Sequence, residues 1–158
     1  MNTNSKTPSL SYTEQVHLVN SADLNGSKRL FGGTLLSWID VVAGITARRH
    51  TGKNAITAAI DNLNFIKPAH ANDVIVICGK VTYTGNTSLE VCVKSYIENP
   101  DCSRELMNKA YVVMVSLGDD DKPCPVPPLC PETDSEIAEF EMGKKRRELR
   151  KLRRSEKF

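Results

Sequence analysis

The rhythm of hydrophobic positions changes along the chain, and the predicted element changes with it. Residues 12–21 alternate weakly, with Val16 and Leu18 set against His17, and then give way to Ala-Asp-Leu-Asn-Gly-Ser-Lys-Arg. This predicts a strand followed by a loop. Over residues 33–47 the apolar positions fall at helical spacing, and Arg48, Arg49 and His50 before Gly52 close the segment. Cations there complement the negative end of the helix dipole, and glycine accepts the left-handed turn that ends a helix. Residues 55–65, 73–83, 88–97 and 106–117 are rich in Val, Ile, Thr and Tyr, with polar turns such as Thr84-Gly85-Asn86-Thr87 and Asn99-Pro100-Asp101 between them. The order β-α-β-β-β-β places one helix against one antiparallel sheet, an α+β class.

Outside that body, residues 1–11 are expected to be a disordered N-terminus ahead of a domain over 12–118. Residues 119–132 hold a Pro-rich run that suits neither a helix interior nor a central strand, so an extended linker is expected. Residues 133–158 begin with Asp134, Glu136, Glu139 and Glu141 and end in bases, which predicts a C-terminal helix whose charges follow its dipole.

Composition narrows the class. The chain has 158 residues, 40% hydrophobic and 25% charged, as one globular domain does. A net charge of +2 hides an asymmetry: residues 144–158 carry nine Lys/Arg against two Glu, leaving twelve bases and seventeen acids before them. No run approaches the ~18 consecutive apolar residues of a membrane span. Residues 1–10 lack the charged start and apolar stretch of a leader. A cytoplasmic protein without membrane association is expected. The five cysteines, at positions 78, 92, 102, 124 and 130, have no zinc-site spacing and read as reduced thiols. There is no G-x-S-x-G elbow, H-E-x-x-H, P-loop or G-x-G-x-x-G, and His17, His50 and His70 do not cluster along the chain.

The helix is apolar on nearly every face, which predicts burial on all sides within a curved sheet. One ionisable residue there is expensive, and it is Asp40. Gly33, Ser37, Ala43, Gly44 and Ala47 share its face by spacing and leave a slot beside the carboxylate. Two readings stand: a carboxylate that serves a ligand, or one that bonds a loop or an arginine of a neighbouring subunit. Gly32-Gly33 opens the helix, where free N–H groups favour an oxyanion; alternatively it makes a tight turn.

Asn25, followed by Leu30-Phe31-Gly32-Gly33-Thr34-Leu35-Leu36-Ser37-Trp38-Ile39-Asp40, resembles the hot-dog acyl-CoA thioesterases of the cytosolic acyl-CoA hydrolase type. Ile56-Thr57-Ala58-Ala59, Phe65-Ile66-Lys67-Pro68 and Val81-Thr82-Tyr83-Thr84-Gly85-Asn86-Thr87-Ser88-Leu89-Glu90 continue the resemblance, which covers about residues 12–150. It implies a hot-dog fold, a curved antiparallel sheet around one central helix with a C-terminal extension helix. It also implies hydrolysis of acyl-CoA to free acid and CoA, with no metal and no cofactor beyond the CoA of the substrate. The implied assembly is a homodimer with shared active sites, often a trimer of dimers. Asp40 and Asn25 then come from different subunits, Thr57 assists near the reacting water, and the Gly33 N–H stabilises the oxyanion. Gly32 and the turn Gly85, Asn86, Thr87 and Ser88 lie near the substrate. The chain departs from the family at Lys28, where Gly is frequent, and at Asn86, where Arg is common.

The basic tail has more than one reading. It docks and offers Arg146, Arg147 or Arg150 to the CoA phosphates, or it is a solvated helix end paired with its own acidic half. Nucleic-acid binding is not expected, since no aromatic residues interleave with the bases before Phe158. Leu36, Trp38 and Ile39 either narrow an acyl channel or pack in the core. A non-catalytic acyl-CoA or nucleotide-binding regulator on the same fold is the competing function.

Overall fold

A computed structural model describes residues 4–157. The elements in chain order are α1 (Pro8–Ser11), β1 (Thr13–Leu18), α2 (Gly32–Thr51), β2 (Asn54–Phe65), β3 (Val74–Thr84), β4 (Ser88–Glu98), β5 (Arg104–Leu117) and α3 (Asp134–Glu156). The five strands form one antiparallel sheet in the order β1-β3-β4-β5-β2, so β1 and β2 are its edges. This is the expected hot-dog arrangement. Strand alternation assigns the two faces of the sheet. In β4, Leu89, Val91 and Val93 pack with Leu35, Ile39, Val42, Ala43 and Ala47 of α2 in the main core, while Glu90 points to the opposite face, where α3 lies.

Helix α2 begins and ends as its sequence predicts. It closes at Gly52, left-handed at φ 71°, whose N–H donates to the Arg48 carbonyl at 2.8 Å. Its burial does not follow the expectation. Ser37, Asp40, Val41 and Arg48 are exposed, and Val41 keeps 51% of its surface. The sheet of a single protomer covers only one side of the helix, so an apolar residue on the other side stays open. Ala43 and Ala47 belong to the covered side and do not line a slot beside Asp40.

The expected disordered N-terminus is corrected over the described residues. Pro8–Ser11 form a helical turn with Pro8 and Ser11 buried, and Lys6 exchanges backbone hydrogen bonds with Pro128 and Cys130 at 2.9 Å each. Residues 1–3 of that expectation lie outside the described residues. The Pro-rich run is extended, but it is sewn to the body. Cys124 N–H donates to Ser116 O at 2.9 Å and Val126 N–H to Asn86 O at 2.8 Å, while Val126 and Leu129 are buried.

Helix α3 starts with a capping box between Thr133 and Glu136. It crosses the outer face and is held by a carboxylate inside the protein. Glu90 is 1% exposed and accepts from Thr82 Oγ1 (2.8 Å), Arg146 Nη2 (2.7 Å) and Arg150 Nη1 (2.9 Å). Arg146 also lies 3.6 Å over the Tyr111 ring, and Arg150 reaches Asp61 at 2.9 Å. Arg146 does pair with Glu139 of its own helix, at 2.8 Å, but Arg146 and Arg150 are docked rather than solvated, and their charges answer a buried acid, which corrects that part of the solvated-helix reading. Among the described residues no helix is long and apolar enough to cross a membrane.

Candidate active site

Thr57, on the edge strand β2, donates its hydroxyl proton to Asp40 Oδ1 at 2.5 Å. The Met114 sulfur stands 3.4 Å behind that hydroxyl. Thr57 sits where β2 slips register against β5, between Thr57 and Ala59. Such irregularities re-aim a side chain out of a regular ladder. Both Asp40 and Thr57 are exposed in the protomer. The hydrogen bond fixes one carboxylate oxygen, leaves Asp40 Oδ2 open, and leaves the lone pairs of the Thr57 hydroxyl facing solvent. A water that donates to Thr57 and to Asp40 is then held next to a base.

Asn25 belongs to a separate constellation at the start of α2. Its Oδ1 accepts from the N–H groups of Ser27 (2.9 Å) and Arg29 (3.2 Å). With the carbonyl oxygen committed to its own loop, the side chain has its amide N–H donors left for a ligand. The loop is pinned at its far end, because Leu30 N–H donates to Ala69 O and Phe31 N–H to Asp23 O, each at 2.8 Å. Helix α2 then opens on Phe31 with no side-chain cap, so the N–H groups of its first turn are available. A Cβ on Gly33 would meet the Phe31 ring at 2.6 Å, which keeps this turn free of side chains. Asn25 and Gly32 line one cavity of about 380 Å³ together with Leu30, Leu35, Phe65 and Met107.

A third group forms at the β3–β4 turn. Gly85 N–H donates to Ser88 O at 2.7 Å, and the Arg147 guanidinium comes within 3.5 Å of where a Gly85 Cβ would stand. Thr87, Ser88 and Arg147 line a groove of about 600 Å³ whose α3 wall also carries Lys151, Arg153 and Arg154. Asn86 stands apart from this groove, its backbone carbonyl committed to Val126 N–H. Arg150 and its partner Asp61 line the groove as well, and a groove with five cations, one acid and a hydroxyl-bearing turn suits a phosphorylated ligand.

The structure thus joins Asp40 to Thr57, Asn25 to Gly32, and Gly85, Thr87 and Ser88 to Arg147, as three neighbourhoods of one protomer; no hydrogen bond links Asn25 to Asp40. Ile39 is a core residue, and Trp38 stacks on His17 at 4.1 Å between ring centroids, which assigns both to packing. Burial lowers the pKa of His17 and of His50, and His50 Nε2 donates to the Pro127 carbonyl at 2.9 Å. Burial also pushes the Cys92 thiol up to about 11, which keeps it protonated. Among the described residues no cluster of His, Cys, Asp or Glu could hold a metal ion. Sequence reasoning missed Glu90 as the anchor of α3; its signal was a lone acid inside the apolar run Leu89-Glu90-Val91-Cys92-Val93. It also missed Phe65 and Met107 as cavity walls, and they carry no local signal, being apolar residues in strands.

Comparison with known proteins gives a consistent set of similarities. A thioesterase superfamily model matches residues 28–103. An uncharacterized acyl-CoA thioester hydrolase of Bacillus subtilis is 40% identical over 116 residues, which is 73% of this chain and 67% of that protein. The cytosolic acyl coenzyme A thioester hydrolase of Rattus norvegicus is 37% identical over 92% of this chain, and the chain spans only 39% of that relative's length. Among solved structures, the Staphylococcus aureus acyl-CoA hydrolase in complex with butyryl coenzyme A, coenzyme A and coenzyme A disulfide has a TM-score of 0.91 and 35% identity, covering 97% of this chain and 94% of that one. The same hydrolase has been solved with alanine in place of an asparagine, a threonine or an aspartate. A hexameric acyl-CoA thioesterase matches with a TM-score of 0.90 and 36% identity, over 95% of this chain and 97% of that one.

Proposed function

Because the chain belongs to the thioesterase superfamily, among its hot-dog acyl-CoA thioester hydrolases, we propose that it hydrolyses a fatty acyl-CoA thioester to free acid and CoA, with Asp40 as the acting carboxylate. The observation that carries this reading is the Asp40–Thr57 pair, joined at 2.5 Å and open to solvent beside a free sheet edge. The alanine variants of the S. aureus hydrolase support it. They replace an asparagine, an aspartate and a threonine at the same intervals along that chain as separate Asn25, Asp40 and Thr57 here.

In the proposed reaction a water donates one hydrogen bond to Thr57 and the other to Asp40 Oδ2. Asp40 takes its proton as the oxygen attacks the thioester carbonyl carbon. The carbonyl oxygen becomes an oxyanion and is met by the Gly33 N–H at the positive end of α2, with the Asn25 amide as a further donor. The carbonyl re-forms as the C–S bond breaks. CoA leaves as a thiolate with little need of acid help, thiols having a pKa near ~8.5. Arg147 and the turn Gly85, Thr87 and Ser88 hold the CoA phosphates. The alternative chemistry is attack by Asp40 itself to give a mixed anhydride, which water then cleaves.

A site split between Asn25 and Asp40 calls for a second copy. Val41 and Ile56, neighbours in sequence of Asp40 and Thr57, stay 51% and 52% exposed, and β2 offers an unpaired edge next to them. Pairing of this flank with its copy makes the homodimer with shared sites, and three dimers make the hexamer that the relatives' assembly suggests.

Thiol release from acyl-CoAs of increasing length, by wild type, Asp40→Ala and Asn25→Ala, tests the reading. Wild type turns over, and Asp40→Ala loses at least ~100-fold, the effect of a lost acid–base group. If wild type binds CoA esters without cleaving them, the protein is a non-catalytic regulator. Single turnover in 18O-water separates the two chemistries, because label in the aspartate requires the anhydride.

A further inference from the structure

The cavity that Asn25 and Gly32 share has polar groups only at its rim. Asn25, Arg29 and Lys67 are exposed, whereas Leu30, Leu35, Ala69 and Met107 behind them are 9%, 1%, 1% and 2% exposed. An apolar pocket that ends on fully buried side chains has a fixed floor, since a packed core does not yield without cost. One wall is different. Phe65, the last residue of β2, is 55% exposed, and the tip of its ring comes so near the chain that a Cβ on Gly32 would stand 3.3 Å from Cζ. The backbone on both sides of Phe65 is tied down: Asn108 Nδ2 donates to Asn64 O at 2.7 Å, and Ile66 N–H donates to Met107 O at 2.9 Å. The ring is thus a half-exposed side-chain wall on a fixed strand.

We propose that this cavity receives the acyl chain and that Phe65 sets the longest chain it admits. The inference rests on the thioesterase reading. The thioester carbonyl must lie at the N–H groups of Asn25 and Gly33, and the tail that leaves it is a hydrocarbon. Of the hollows near those groups, this one has apolar inner walls, while the groove at Arg147 is cationic. The hollow lined by Tyr12, Lys80 and Arg104 lies on the α3 side of the sheet, away from α2. A chain too long for the space between Leu35 and Met107 must displace the Phe65 ring from Gly32. Removal of the ring lengthens the pocket; a larger ring shortens it.

The test is the profile of kcat/KM against saturated acyl-CoAs from two to sixteen carbons, for wild type, Phe65→Ala, Phe65→Leu and Phe65→Trp. A methylene that a pocket refuses changes kcat/KM by roughly 10- to 200-fold. Phe65→Ala is expected to raise kcat/KM about 10-fold or more for chains beyond the wild-type optimum. Chains shorter than the optimum keep theirs within about 3-fold. Phe65→Trp moves the optimum the other way. A ring that only supported the fold would lower every chain alike, so opposite movement of the optimum is the signature. Phe65→Leu, which keeps an apolar contact on Gly32, guards against misfolding and is expected to shift less than Phe65→Ala in the same direction. An unchanged profile in Phe65→Ala and Phe65→Trp, with wild type active, overturns the inference and leaves the thioesterase reading standing. A wild type that cleaves no ester in the series overturns both.

Discussion

Lys28 lies in the loop that carries Asn25 and holds φ at 57°, the left-handed region. Its N–H donates to the Asn25 carbonyl at 3.0 Å, closing the turn that presents the Asn25 side chain. A side chain on Cβ costs ~1 kcal/mol or more in that conformation. A glycine, which the resemblance leads one to expect at this position, would adopt that conformation without the cost. Lys28→Gly is expected to stabilise the fold by up to about 1 kcal/mol, partly offset by the extra freedom glycine has when unfolded. Urea midpoints measure this, with thioesterase activity unchanged; a lower midpoint would mean that the lysine side chain holds the loop. Asp40 was legible as the lone acid of an otherwise apolar helix, and the resemblance supplied Asn25 and Thr57. That Asp40 stands open was not legible, because an apolar face reads the same whether its own sheet covers it or a second chain does. Phe65 and Met107 were invisible as walls, since strand patterns say which residues are apolar and not which of them border a space.

At the scale of elements, periodicity carried the strands and α2, whose signals are local: alternation, turn residues and a helix stop. The docking of α3 was not local. Glu90 meets Arg146 and Arg150 from 56 and 60 residues away, and a charge run by itself looks like a solvated face. A buried carboxylate with two guanidiniums is costly to assemble, and its loss strips each guanidinium of one buried partner while Arg146 keeps Glu139 and Arg150 keeps Asp61. Glu90→Ala is therefore expected to cost about 1–3 kcal/mol in urea unfolding. Amides over residues 134–156 lose hydrogen-exchange protection at the same time. The exposed pair Glu148–Lys151, at 3.2 Å, serves as the contrast, and Glu148→Ala is expected to be close to neutral. Since Arg147 rides on the same helix, undocking also raises KM for acyl-CoA more than it lowers kcat. Equal loss in both variants would mean that α3 is held mainly by its apolar contacts, such as Phe140 against Tyr83 at 5.0 Å between rings.

For the whole molecule, the division of the site within one protomer decides what the assembly must do. Asp40 and Thr57 share a hydrogen bond, whereas Asn25 is built into the entrance of α2 with its own cavity. If a second copy joins these halves, each site takes Asp40 and Thr57 from one subunit and Asn25 from the other. Asn25→Ala and Asp40→Ala, each inactive alone, then complement each other. In a mixed dimer one site carries both lesions and the other carries neither. Mixed dimers isolated through both tags keep one intact site of two, so about half of wild-type activity returns. Co-expression of two differently tagged variants, purification through both tags and thiol-release assay measure it. Asp40→Ala with Thr57→Ala is the control that makes the result specific. Those two residues come from the same subunit, so every site of that mixed dimer lacks one of them and no activity returns. Recovery in the first mixture and none in the second requires the crossed arrangement. Silence in both requires that one protomer supplies all three residues, by a closure of the Asn25 loop onto α2.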